Sequence, residues 1–236
     1  MNIAVIPARG GSKRIVRKNI RDFCGKPLIA WPIAAARESG CFDRILVSTD
    51  DEEIMAVAEA HGAEAPFRRP AELADDFTPT VPVVAHAVAW MQRTAPVERA
   101  CCIYATAPLL RGNDLIRGRA MLDAGGGDGD RDYAFSVTTF PFPIQRALRL
   151  DARGHVFMID PAQRETRSQD LEESYHDAGQ FYWGRADAWL AHRPIFAARS
   201  AAVVLPRKRV QDIDTPEDWD RAELLFRMLA DTAATR

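Results

Sequence analysis

The chain has 236 residues and a formal net charge of −2, from 33 acidic and 31 basic residues. That length suits one domain, or one domain carrying an insertion, with a sizeable core. The near-even charge excludes a general nucleic-acid binder, which carries a basic surface, and no apolar run approaches the length of a membrane span.

The N-terminus lacks the charged-then-apolar pattern of a secretory signal. Cys24, Cys41, Cys101 and Cys102 show no Cys-x-x-Cys spacing, and His61, His86, His155, His176 and His192 show no zinc spacing. The expectation is a reduced, cytoplasmic protein with no membrane and no nucleic-acid partner.

Residues 2–6 form an apolar run with the look of a buried strand. The chain then turns small, flexible and cationic. Gly10 and Gly11 permit a tight bend and close approach of backbone N–H groups to a ligand. Arg9, Lys13, Arg14, Arg17 and Lys18 place five positive charges within ten residues. A strand opening into such a loop suits a polyphosphate. It is neither a P-loop nor a dinucleotide fingerprint, because both glycine patterns are absent.

A helix is expected over 28–38, a strand over 45–47 and a helix over 51–61, with Asp50 and Glu53 as its capping box. Arg69-Pro-Ala-Glu-Leu73 precedes Asp76, Thr78 and Thr80, whose side chains suit ribose or phosphate. Thr80 equally suits the cap of a helix starting near Val81. A strand follows over 101–104, with Cys101 and Cys102 as core thiols, then a helix over 113–122. The run 125–130 reads as a surface loop without calcium-ligand spacing. A strand is expected over 134–138. Residues 140–178 are charged and poor in apolar runs, and read as an insertion. Strands resume over 180–183 and 201–205. In the last helix Thr215 is the N-cap, Pro216 stands at the first position and Trp219, Ala222, Leu225, Phe226 and Leu229 share a face. Trp31, Trp90, Trp183 and Trp189 read as core or interface. The alternation predicts an α/β fold with a mainly parallel, Rossmann-like sheet flanked by helices. Ligands of such sheets bind beyond the carboxyl ends of the strands, where the basic loop falls.

Asp212-Ile-Asp214 places two carboxylates on one face of an extended segment. They repel unless a cation lies between them. Two readings stand on these residues alone: a magnesium pair, or a helix start with a solvated neighbour.

The N-terminal loop resembles the signature Ala-Arg-x-x-Ser-Lys-x-x-Pro-x-Lys-Asn of the sugar-acid cytidylyltransferases, the CMP-sialic acid synthetase family. Ala8, Arg9, Ser12, Lys13, Lys18 and Asn19 match it, and Val16 replaces the proline. The resemblance covers residues 3–219. It implies a nucleotide-diphospho-sugar transferase fold with an inserted dimerisation arm at 140–178, within a single domain over 1–236. It also implies CTP and a nonulosonic acid as substrates, Mg2+ as cofactor and a homodimer. Asp212 and Asp214 become the metal pair, with Arg9 and Lys18 as catalytic cations. Ala8, Gly10, Gly11, Ser12, Asn19, Arg69, Thr78, Thr80 and Thr106 become nucleotide contacts. Arg167, followed by Gln169, resembles the family's carboxylate-reading segment. Tyr175-His-Asp-Ala-Gly-Gln-Phe-Tyr-Trp183 is similar to the family's pseudaminic acid branch, which adds Tyr175, His176 and Gln180 as sugar contacts. Ala105 and Ala107 replace polar residues of the sialic acid enzymes and imply an apolar floor.

Overall fold

Along the first strand, β1 (Asn2–Pro7), Ile3 and Val5 point to one face while Ala4 and Ile6 point to the other. All four are fully buried, so β1 is a central strand covered on both sides. The computed structural model describes residues 1–124 and 131–234; the expected loop at 125–130 lies outside the described residues. Next come a short hairpin, β2 (Asp22–Phe23) and β3 (Lys26–Pro27), then α1 (Ala30–Ser39), β4 (Arg44–Ser48) and α2 (Glu52–Ala60). The chain continues through α3 (Thr80–Gln92), β5 (Arg99–Ile103), α4 (Gly112–Asp123) and β6 (Tyr133–Thr139). A second hairpin, β7 (Leu148–Leu150) and β8 (Val156–Met158), precedes β9 (Tyr175–Arg185), α5 (Ala186–Leu190), β10 (Ser200–Val204) and α6 (Pro216–Ala234).

The main sheet has the order β10-β6-β9-β5-β1-β4. Strands β1, β4 and β5 are mutually parallel, as are β6 and β10, and β9 runs antiparallel between β5 and β6. Most expected elements differ from the observed ones only by a residue or two at their ends. β9 is the exception. It begins at Tyr175, so the last residues of the expected 140–178 insertion belong to the sheet.

One core packs α1, α2 and α4 on one face of the sheet, through Ile33, Ile54 and Leu115 against Ile6, Cys101 and Trp183. The other packs α3 and α5 on the opposite face, through Val84, Met91 and Trp189 against Val5, Cys102 and Tyr182. Cys101 and Cys102 thus serve opposite cores, and burial pushes both thiols up. A third cluster joins α6 to the β2–β3 hairpin, with Trp219 edge-on to Phe23 at 5.3 Å and Ile213 fully buried beside them. At the start of α6 the Asp218 N–H donates to Thr215 Oγ1 (3.2 Å), and Thr215 N–H donates back to Asp218 Oδ2 (2.9 Å).

The cap of α2 is Asp51, not Asp50. Its carboxylate accepts from Ile54 N at 3.0 Å, because the helix begins one residue later than expected. Asp51 also holds Arg17, and this guanidinium is the main reason its carboxyl lies below the usual range. Asp51→Ala is expected to cost about 1–2 kcal/mol in urea unfolding at pH 7. A depressed pKa gives stability that is present above the unfolded value and lost as pH falls through the folded one. The gap between wild type and variant should therefore close in acid. A gap that persists at low pH would show that the charge does not carry the effect.

The β7–β8 hairpin stands off the main sheet. Phe142, Leu148, Leu150, Val156, Phe157 and Ile159 are all exposed there. The segment expected to be charged and poor in apolar runs therefore presents an apolar surface, for which the run Val156-Phe-Met-Ile159 was the sequence signal.

Candidate active site

Four loops converge at the carboxyl ends of β1, β4 and β5, as expected for an open α/β sheet. They form a cleft of about 410 Å³ lined by Arg9, Ser12, Lys13, Arg14, Lys18, Asn19, Arg69, Asp76, Thr78, Thr80, Tyr104, Ala105, Thr106, Asp212 and Asp214 among others. Of the expected nucleotide contacts, Ala8, Gly10 and Gly11 do not line it. Ala8 is buried, and its N–H bonds Ser48 O at 2.9 Å. The Gly10 amide donates to Asp50 Oδ1 at 3.0 Å, so it is already engaged. Glycine is needed at this position for a different reason: a Cβ would lie 2.6 Å from Asp51 Oδ2. Asn19 supports the loop from beneath, donating from Nδ2 to Arg9 O at 3.0 Å.

Arg69 is buried with its Nε on Ser48 Oγ at 3.1 Å. Burial lowers its pKa to about 10, with Asp50 opposing the shift. Thr80 does not cap α3; its hydroxyl pairs with Tyr104 OH at 2.9 Å. Ala105 belongs to the cleft, but Ala107 is buried in the core and is no part of the floor.

The loop cations are paired with acids. Asp76 takes both Arg9 and Lys13, whose hydrogen bonds lower its pKa. Asp214 takes Arg14 at 2.9 Å and Lys18 at 3.4 Å, and Lys18 Nζ also donates to Ile213 O at 2.6 Å. Asp212 is less well compensated: burial, then the neighbouring Asp214, raises its pKa. A carboxylate pair of this kind, lining a cleft rich in cations, fits a divalent cation. Among the described residues no third acidic, histidine or cysteine ligand joins them. Phosphate oxygens and water would complete such a shell, which is the ordinary arrangement for magnesium.

A second cavity of about 550 Å³ adjoins the cleft and shares Asp212 with it. His176 and Asp177 line it, with Arg207, Lys208 and Arg221 adding positive charge. The three cations were overlooked in the sequence, although the run Arg207-Lys-Arg209 just before Asp212 was a usable signal. Of the expected sugar contacts only His176 lies here. Gln180 is buried and donates from Nε2 to Arg209 O at 2.5 Å. Tyr175 bonds Glu173 (2.5 Å), and exposed Arg167 bonds Asp170 (2.7 Å); neither residue lines either cavity, nor does Gln169.

Residues 3–223 match the cytidylyltransferase family. The chain belongs to that family. A pseudaminic acid cytidylyltransferase of Campylobacter jejuni is 45% identical over 233 residues, covering 98% of this chain and 99% of that protein. A CMP-N,N'-diacetyllegionaminic acid synthase of Legionella pneumophila is 30% identical over 234 residues, covering 96% of each. The solved structure of CMP:2-keto-3-deoxy-manno-octonic acid synthetase complexed with CTP shares the fold, with a TM-score of 0.66 at 18% identity over 96% of this chain and 98% of that one. The protein is thus a nucleotidyltransferase enzyme with the fold of this cytidylyltransferase group. Among the described residues no helix is long and apolar enough to cross a membrane.

Proposed function

We propose that this enzyme transfers CMP from CTP to pseudaminic acid in the cytoplasm. The observation that carries the reading is Asp212, a carboxylate shared by the cationic cleft and the adjoining basic cavity. A nucleotide triphosphate in the first and a sugar acid in the second would meet beside it. The close similarity to pseudaminic acid cytidylyltransferases supports that choice of acid.

Arg9, Ser12 and Lys13 hold the triphosphate, and Lys18 neutralises charge near the reacting phosphate. Arg69 stiffens the wall that Thr78, Thr80 and Thr106 complete. The anomeric hydroxyl oxygen of the sugar bonds to the α-phosphorus as the bond to the pyrophosphate oxygen breaks. The hydroxyl proton leaves to a carboxylate or to water, and pyrophosphate departs. Little covalent work falls to the protein, so positioning and charge neutralisation dominate. Asp212 and Asp214 would hold Mg2+, which when bound stabilises charge on the phosphate oxygens. Arg207, Lys208 and Arg221 offer the sugar carboxylate its counter-charge. Pyrophosphate release with CTP and a panel of sugar acids tests the reading. Release with none of them would overturn it.

The arm at 140–174 is proposed to build a homodimer. Its exposed apolar hairpin supports this, since a patch of that kind marks an interaction surface. Arg167 and Gln169 line neither cavity of their own chain, and in the dimer the arm carries them towards the neighbouring subunit. Light scattering should give about twice the 26.3 kDa chain mass. Leu150→Asp and Phe157→Asp should shift the protein to monomer with loss of activity. A fully active monomer would sink the proposal.

A further inference from the structure

Asp114, in the first turn of α4, and Arg209, just before the carboxylate pair, form an ion pair inside the protein. They are 2% and 7% exposed. The contact is two-pronged: Arg209 Nη2 lies 3.0 Å from Asp114 Oδ1, and Nη1 bonds Oδ2. Arg117 Nη1 closes the other side of Asp114 at 3.5 Å. The Arg209 carbonyl is held as well, by Gln180 Nε2 from β9 at 2.5 Å. The segment between β10 and α6 has no strand ladder of its own, so these contacts set its path. Thr138 Oγ1 ties its start by donating to Leu205 O at 2.8 Å. Ile213, fully buried, and Lys18 on Ile213 O tie its end.

We propose that the Asp114–Arg209 pair is a positioning device that holds Asp212 and Asp214 in register for their cation. The inference rests on the reading of those carboxylates given above. A buried ion pair contributes little net stability, because desolvation offsets the attraction. Its value lies in direction: a guanidinium fork on a carboxylate fixes distance and angle together. Asp212 and Asp214 repel each other, so a slack segment would let them part when no cation lies between them. Arg209 stands three residues from Asp212 and is gripped through both its side chain and its main chain. Groups behind a metal site that orient its ligands act in this way.

The test is Mn2+ binding, read by electron paramagnetic resonance with CTP present, on the full chain well below its unfolding temperature. Arg209→Lys and Asp114→Asn are expected to weaken Mn2+ binding by about ten- to a hundred-fold. CTP binding in chelator, which uses the basic loop, should not change. Because a single variant strands a buried charge, Asp114→Leu with Arg209→Met is made as well. That apolar pair should fold with its Tm near wild type and still bind Mn2+ weakly. Wild-type Mn2+ affinity in any of the folded variants overturns the proposal. So does a parallel fall in metal-free CTP binding, which marks general loosening of the fold. Failure of the wild-type protein to bind Mn2+ with CTP instead overturns the reading of the carboxylates.

Discussion

Asp214→Ala is expected to lower kcat by on the order of 10²-fold or more, as removal of one preorganised electrostatic contact does elsewhere. The side chain is 44% exposed, and its carboxylate pairs with Arg14 and Lys18. The variant should therefore fold, and circular dichroism should match wild type. Turnover of the wild-type enzyme should stop in excess chelator and return with Mg2+. Near-wild-type turnover by Asp214→Ala, or full turnover in chelator, would remove the pair from its role. The same substitution frees Lys18 and Arg14, so CTP binding should survive it. A loss confined to kcat is the signature of a group acting in the transition state.

When pseudaminic and N-acetylneuraminic acids compete for limiting CTP, the CMP derivative of pseudaminic acid should dominate the products. Both acids carry the carboxylate that Arg207, Lys208 and Arg221 can meet, so the discrimination must come from their other groups. Ala105, expected to read the sugar, is almost fully buried and lines the nucleotide's cleft beside Tyr104 and Thr106. The sugar's cavity does not include it, so the reading of the sugar falls to the groups that line that cavity. His176 and Asp177 supply polar contacts from the adjoining wall. The Asp177 carboxylate is itself steadied by Tyr182 OH at 2.5 Å and Gly179 N at 2.9 Å. A site whose own polar groups go unpaired rejects the wrong substrate by roughly 10⁴-fold or more. Mass spectrometry of the nucleotide products reads the ratio directly. A majority of the neuraminic product would refute the choice of sugar and leave the family membership standing.

The layers and most elements were legible because apolar runs and helical faces act locally. β9 was read short because its first half is polar and its pairing with β6 shifts register between Phe135 and Val137. Alternation breaks at such an irregularity, and the strand then looks like loop. The basic loop, Arg69 and the Asp212–Asp214 pair were legible because each is a compact motif, and the cleft gathers them. Gly10 was legible as a glycine but not for its cause, which is the approach of Asp51 from another loop. The Asp114–Arg209 pair was not legible, since it joins positions 95 residues apart. Nor was the adjoining cavity, whose cations come from two separate elements. Gln180 was expected as a sugar contact only because the resemblance of its motif implied it. The pleat turns its side chain inward to Arg209.

The pairing of Arg9 and Lys13 with Asp76, and of Arg14 and Lys18 with Asp214, has a consequence for traffic through the cleft. An incoming polyphosphate does not fall into bare positive charge; it exchanges places with carboxylates already there. Part of the attraction is cancelled by the partners it displaces, so weakly charged anions gain little by entering. A triphosphate, with several oxygens acting together, outcompetes two single carboxylates. The empty enzyme thus holds its most reactive surface in a self-screened state, and admission is granted by valence before any base or sugar is read.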